Sequence, residues 1–109
     1  FVVTHEAFGY LAKAYGLEQI GIEGLTPESE PSAASIQAAT QAIRSGTAAP
    51  VVFYETTDEG RRIGGAIAAD IGVPALPLDT LAIGSPPRDY VSVMRATLTS
   101  LRKGLQCKA

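Results

Sequence analysis

Short apolar runs alternate with stretches of helical period along the whole chain. Residues 1–4 (Phe1, Val2, Val3, Thr4) are apolar or β-branched and predict a first strand. Over residues 6–15, Phe8, Leu11, Ala12 and Tyr15 recur at i, i+3, i+4 and i+7, one face of a helix, and Gly16 stands where a left-handed C-terminal cap belongs. Residues 19–23, with Ile20 and Ile22, predict a second strand, and residues 24–31 read as a loop. Ser32 is placed to cap a helix that runs to about Arg44 with Ile36, Ala39 and Ile43 inward, ended by Ser45-Gly46. Residues 50–54 form the clearest strand, a continuous run of the kind buried on both faces. Thr57 or Asp58 can cap a third helix through Ile63, Ile67 and Ile71. Gly72 closes it, and Pro74 prevents its continuation. Residues 75–78 predict a fourth strand and residues 80–88 a loop. Asp89 caps a last helix carrying Tyr90, Val93, Leu98, Leu101 and Leu105 at helical spacing.

The resulting order, β-α-β-α-β-α-β-α, predicts an α/β fold: a four-stranded parallel sheet with helices on both faces. A length of 109 residues suits one domain, and 46% hydrophobic with 18% charged residues is a globular composition. A net charge of −2, with positive charge densest only at Arg61-Arg62 and Arg102-Lys103, argues against nucleic acid as a partner. No apolar run approaches the roughly 20 residues of a membrane helix. The sequence opens on Phe1, inside a predicted strand, with no initiator Met or signal peptide, so an upstream part is expected to be missing. Cys107 is the single cysteine, which allows no intrachain disulfide and does not decide the redox compartment.

Parallel sheets of this kind bind ligands at the carboxyl ends of their strands. The residues following the four predicted strand cores are His5, Glu23, Glu55 and Asp79, each able to ligate a metal or carry a proton. His5, the only histidine, is either a packing residue beside a helix start or a ligand. As a ligand it needs its other ring nitrogen held by a carboxylate or carbonyl. Glu55, on a neighbouring strand end, is the candidate for that supporting role, or else a solvated charge at a helix start. Asp79 is either a loop cap or a carboxylate ligand. Glu23, before Gly24, is read as a loop charge. Other motifs fail. His5-Glu6 lacks the second histidine of a zinc-protease helix, since position 9 is Gly. Gly60 to Gly65 lacks dinucleotide-loop spacing, there is no G-x-S-x-G elbow, and Cys107 has no nearby base.

Five segments, in order, resemble one family. They are Thr4-His5-Glu6-Ala7-Phe8-Gly9-Tyr10-Leu11 followed by Tyr15-Gly16-Leu17; Glu28-Ser29-Glu30-Pro31-Ser32; Val52-Phe53-Tyr54-Glu55; Leu78-Asp79 followed by Leu81; and Asp89-Tyr90-Val91-Ser92-Val93-Met94-Arg95. Together they resemble the C-terminal lobe of the zinc and manganese solute-binding proteins of ABC importers, the cluster A metal-binding lipoproteins. The resemblance implies a single lobe of a two-lobe protein, residues 1–109, with the N-terminal lobe and linking helix absent. It implies a metal ion held between lobes, with His5 and Asp79 as this lobe's ligands and two histidines from the other. It implies delivery to a membrane permease at the periplasmic or extracellular face of the cytoplasmic membrane, with a lipoprotein or secretion signal upstream. Zinc members usually carry His at the place of His5 and manganese members Glu, so zinc is favoured and manganese is the alternative.

The chain departs from the family pattern at Thr80, where many relatives have Pro, and in the unpaired Cys107. An exposed apolar face toward the missing lobe is expected, through which the isolated piece could form a homodimer. The rival class is a small α/β enzyme with His5 as general base oriented by Asp79 or Glu55. A third reading is an adhesive surface domain, since some members of the family are described as adhesins.

Overall fold

A computed structural model describes residues 1–23, 30–81 and 89–108. The elements are β1 (Val2–Val3), α1 (Gly9–Ala14), β2 (Ile20–Gly21), α2 (Ala33–Arg44), β3 (Val52–Glu55), α3 (Asp58–Ile71), β4 (Ala75–Leu78) and α4 (Tyr90–Gly104). The strands form one four-stranded parallel sheet in the order β2-β1-β3-β4. The expected α/β architecture is therefore present. The loops expected at 24–31 and 80–88 fall mostly outside the described residues.

Strand alternation sorts the core into two layers. Val2, Val52 and Ile22 join Ala39, Ile43, Ile63 and Ile67 on the face covered by α2 and α3. Val3, Phe53 and Leu78 join Phe1, Phe8 and Ala12 on the opposite face, with Leu101 and Leu105 of α4 packed against them. Phe1 meets Phe53 edge to face, ring centroids 5.7 Å apart. Pro77 lies in β4 at the sheet edge, where a missing amide donor does not break an interior ladder.

Helix ends follow the local chemistry. The side-chain oxygens of Ser32, Thr57 and Asp89 accept from the amides of Ser35, Gly60 and Ser92, satisfying donors that the first helical turn leaves over. After α1, Gly16 takes φ +65°, and the amide of Leu17 donates to the carbonyl of Ala12 at 2.8 Å, the Schellman arrangement. Gly72 closes α3 at φ +88°.

Two differences from the sequence reading have physical causes. The first helix begins at Gly9 rather than residue 6, because the side chains before it serve the edge strand. Glu6 Oε1 accepts from the amide of Gly21, and Gln19 Oε1 accepts from the amide of Phe8. Tyr15, Tyr90 and Leu98, which keep the helical spacing of the apolar positions, are 75%, 65% and 54% exposed. With Leu11, Leu101 and Leu105 they border an apolar groove of about 590 Å³ between α1 and α4. The six-residue α1 is too short to close this face of the sheet.

The glycines of α3 and α4 permit close approach to the sheet. A Cβ on Gly104 would stand 2.5 Å from Phe53 Cζ, and one on Gly64 would stand 2.8 Å from Tyr54 Cβ. At Gly65 nothing lies within 4 Å. Gly104→Ala should therefore destabilise, because overpacking costs about 1–3 kcal/mol, more than the roughly 1 kcal/mol of helix propensity gained. Gly65→Ala should stabilise by up to about 1 kcal/mol. Denaturant melts of the two variants with opposite signs would bear this out, and a stabilised Gly104→Ala would refute it.

Candidate metal site

The three side chains singled out for chemistry sit at neighbouring strand ends. Register pairs Val3 with Phe53, and extending it by two places sets His5 opposite Glu55. Register pairs Glu55 with Leu78, so Asp79 is the next residue on β4. The central strand β3 thus ends in a carboxylate flanked by His5 on one side and Asp79 on the other.

Glu55 is buried, at 8% exposure, and both of its carboxylate oxygens are engaged. Oε2 lies 3.0 Å from His5 Nδ1, and Oε1 accepts from the hydroxyl of Thr80 at 2.8 Å. Its amide donates to Thr4 Oγ1 at 3.3 Å. Its carbonyl accepts from the amide of Thr57 at 2.7 Å, a tight turn that starts α3. The same turn recurs after β1, where the amide of Ala7 donates to the carbonyl of His5 at 2.8 Å. Gly60 is required beneath the Glu55–Thr57 turn, since a Cβ there would approach the Glu55 carbonyl to 2.5 Å.

An ionised Glu55 assigns the proton of a neutral His5 ring to Nδ1, because a carboxylate can only accept. The lone pair then resides on Nε2, the tautomer in which an imidazole can ligate a metal through that nitrogen. Asp79 is held by a local turn in which its Oδ1 accepts from the amide of Leu81 at 2.8 Å. That turn puts Leu81 at φ +64°, a backbone conformation costly for a bulky residue. The strain lies directly beside the candidate ligand.

Glu23 differs from its sequence reading. It is no solvated loop charge but is buried, at 8% exposure. Its amide donates to the carbonyl of Thr4 at 2.9 Å, which seats it beside the end of β1. Burial pushes its carboxyl above the ordinary glutamate value, against the pull of His5. Glu59, Glu55 and Glu30 reinforce the rise.

Sequence reasoning missed two supporting groups. Thr4 is fully buried and receives the Glu55 amide. Thr80, which appeared only as a departure from a family pattern, donates to Glu55. A threonine on its own carries no signal of such a contact, since the partner is remote in sequence. Among the described residues, no group of three or more His, Cys, Asp or Glu side chains is arranged to hold a metal ion. A tetrahedral zinc shell takes four ligands, so a histidine and an aspartate at one rim could supply at most half of one.

Comparison with known proteins places the chain as a whole. The chain is similar over its whole length to the high-affinity zinc uptake system protein ZnuA of Bacillus subtilis, with 33% identity over 114 aligned residues that make up 35% of that protein. It is 33% identical over 108 residues to the zinc-binding lipoprotein AdcA of Streptococcus pneumoniae, covering 94% of this chain and 21% of AdcA. The chain thus spans about a third or less of the length of these relatives. Among solved structures, it matches the laminin-binding protein Lmb of Streptococcus agalactiae, described as a bifunctional protein with adhesin and metal transporting activity. The TM-score is 0.79 and the identity 34%, over 96% of this chain and 40% of Lmb. The relatives are named for zinc binding, zinc uptake or metal transport rather than for catalysis. Residues 1–104 match the family profile ZnuA, the periplasmic component A of the zinc-uptake complex, and the chain belongs to that family.

Proposed function

We propose that this chain is the C-terminal metal-binding lobe of a two-lobe solute-binding protein that captures zinc and delivers it to the permease of an ABC importer. The observation that carries the reading is the pairing of His5 and Asp79 on either side of Glu55, at the carboxyl rim of a parallel sheet. Zinc is the cargo. His5 through Nε2 and Asp79 through its carboxylate supply two of its four ligands, and the remaining polypeptide supplies the others. Glu55 orients the imidazole and raises its basicity, and Thr80 holds Glu55. Imidazole is a softer donor than the oxygen ligands that suit manganese, which favours zinc, as do the names of the relatives.

The rest of the reading follows from the chain's relatives. A periplasmic zinc-uptake component and a zinc-binding lipoprotein work outside the cytoplasmic membrane, and we assign this chain to the same location, with a lipid anchor or secretion signal carried elsewhere in the protein. Its role is transport rather than catalysis. Adhesion is a second role of Lmb by description, and nothing at the site bears on it in this chain. Tyr10, Leu81, Tyr90 and Val91 follow strand ends on the same side of the sheet as the site and are all exposed. Exposed apolar side chains at these strand ends suit contact with the other lobe, and in the isolated lobe they suit contact with a second copy.

Three outcomes are expected. In the full-length protein, His5→Ala and Asp79→Ala should each lower zinc affinity by tenfold or more, measured by competition with a chromophoric chelator. Undiminished affinity in both would sink the assignment. Glu55→Ala should abolish the Nδ1–H preference of His5 in ¹⁵N NMR spectra, and an unchanged tautomer would mean that another group orients the ring. Sedimentation equilibrium of the isolated 109-residue lobe should give a mass that rises with concentration. A monomer at every concentration would count against self-association.

A further inference from the structure

Glu23 is a carboxylate that the fold buries without satisfying. Its Oε1 is shut off from solvent and has no hydrogen-bond partner among the described residues, although the side chain stands at the rim that holds His5 and Glu55. An uncompensated buried carboxylate is destabilising, and native proteins seldom keep one without a use. Among the described residues the one favourable charge acting on it is that of a protonated His5, and a neutral, metal-ligating imidazole does not carry it. Glu23 is not a third ligand in this arrangement, since no three such groups among the described residues are placed around one ion. What it lacks is a donor.

The donor can be named from zinc chemistry. Zinc takes its protein ligands from Cys, His, Asp and Glu, and a carrier that is not an enzyme needs no open coordination position. Of those ligands, bound as thiolate, carboxylate and neutral imidazole, only imidazole still carries a proton to donate. A metal-bound imidazole nearly always donates its second N–H to an acceptor, and for His5 that acceptor is Glu55. We propose that Glu23 is the corresponding acceptor for a second histidine ligand, one supplied from outside this chain when the zinc shell closes. Glu23 then acts as a positioning residue for the arriving imidazole, and its Oε1 gains its hydrogen bond only in the loaded, closed state. This rests on the zinc-site reading given above.

The test uses the full-length protein and its Glu23→Gln variant, with His5→Ala and Asp79→Ala in parallel. Zinc affinity is measured by chelator competition at one pH, and the melting temperature is measured without metal. If Glu23 waits for a donor, Glu23→Gln loses roughly tenfold to a hundredfold in zinc affinity. Its metal-free melting temperature holds or rises, because an unpaired buried charge has been removed. Unchanged zinc affinity overturns the proposal. So does a lowered metal-free melting temperature, which would mark Glu23 as a structural carboxylate. Loss of affinity in His5→Ala and Asp79→Ala with none in Glu23→Gln rejects this proposal alone. Undiminished affinity in His5→Ala and Asp79→Ala rejects the zinc site and this proposal with it.

Discussion

The arrangement at the rim depends on the carboxylate of Glu55. It lies at the end of the central strand β3, between β1 and β4, and a buried carboxylate must find partners or lose its charge. Here each oxygen has one, His5 Nδ1 from the end of β1 and the Thr80 hydroxyl from the end of β4. Three segments distant in sequence are thereby tied at one point. The tie is possible only because the sheet is parallel and in this register, so that every strand delivers its carboxyl end to the same edge. Removing Glu55 would take the carboxylate from His5 Nδ1 and from the Thr80 hydroxyl, although the sheet beneath could persist on its apolar layers.

Those layers were legible in the sequence because they depend on local periodicity. The α/β alternation, the caps at Ser32, Thr57 and Asp89, and the left-handed Gly16 and Gly72 follow from residue chemistry within one or two turns. The convergence of His5, Glu55 and Asp79 was legible too, because strand-end position is a topological property. What could not be read was anything decided by a partner far along the chain. Glu6 turns to the Gly21 amide of β2 and Gln19 to the Phe8 amide before α1, so α1 starts late. Tyr90 and Leu98 keep helical spacing yet face an open groove, since periodicity gives the side of a helix and not whether another element covers it. Thr80 and Glu23 were read from their neighbours in sequence, while their surroundings are set by β3 and β1.

The rim also carries unfavourable features. Leu81 holds a left-handed backbone beside Asp79, Glu23 keeps an unsatisfied oxygen beside His5, and Tyr10, Tyr90 and Val91 expose apolar area nearby. Away from it, most buried groups are paired, and Thr97 Oγ1 on α4 is the other buried side-chain atom without a partner among the described residues. Gln106, past the end of α4, is the other described non-glycine residue with positive φ, at +55°, so it is the pairing of strain and unsatisfied polarity with the strand-end carboxylates that accords with an interaction surface at the rim.

For a carrier, the division of a coordination shell has a kinetic logic. A site made wholly within one rigid lobe would bind zinc tightly and release it only by distorting that lobe. Under the proposed function, with His5 and Asp79 on this body and the other ligands on a second, affinity would be a property of the closed pair. Each half alone holds too few donors for a tetrahedral ion. Separation of the two bodies then lowers affinity without breaking any contact inside either, so the His5–Glu55–Thr80 tie can stay intact through loading and release. A permease that holds the bodies apart would obtain the ion at the cost of the interface alone.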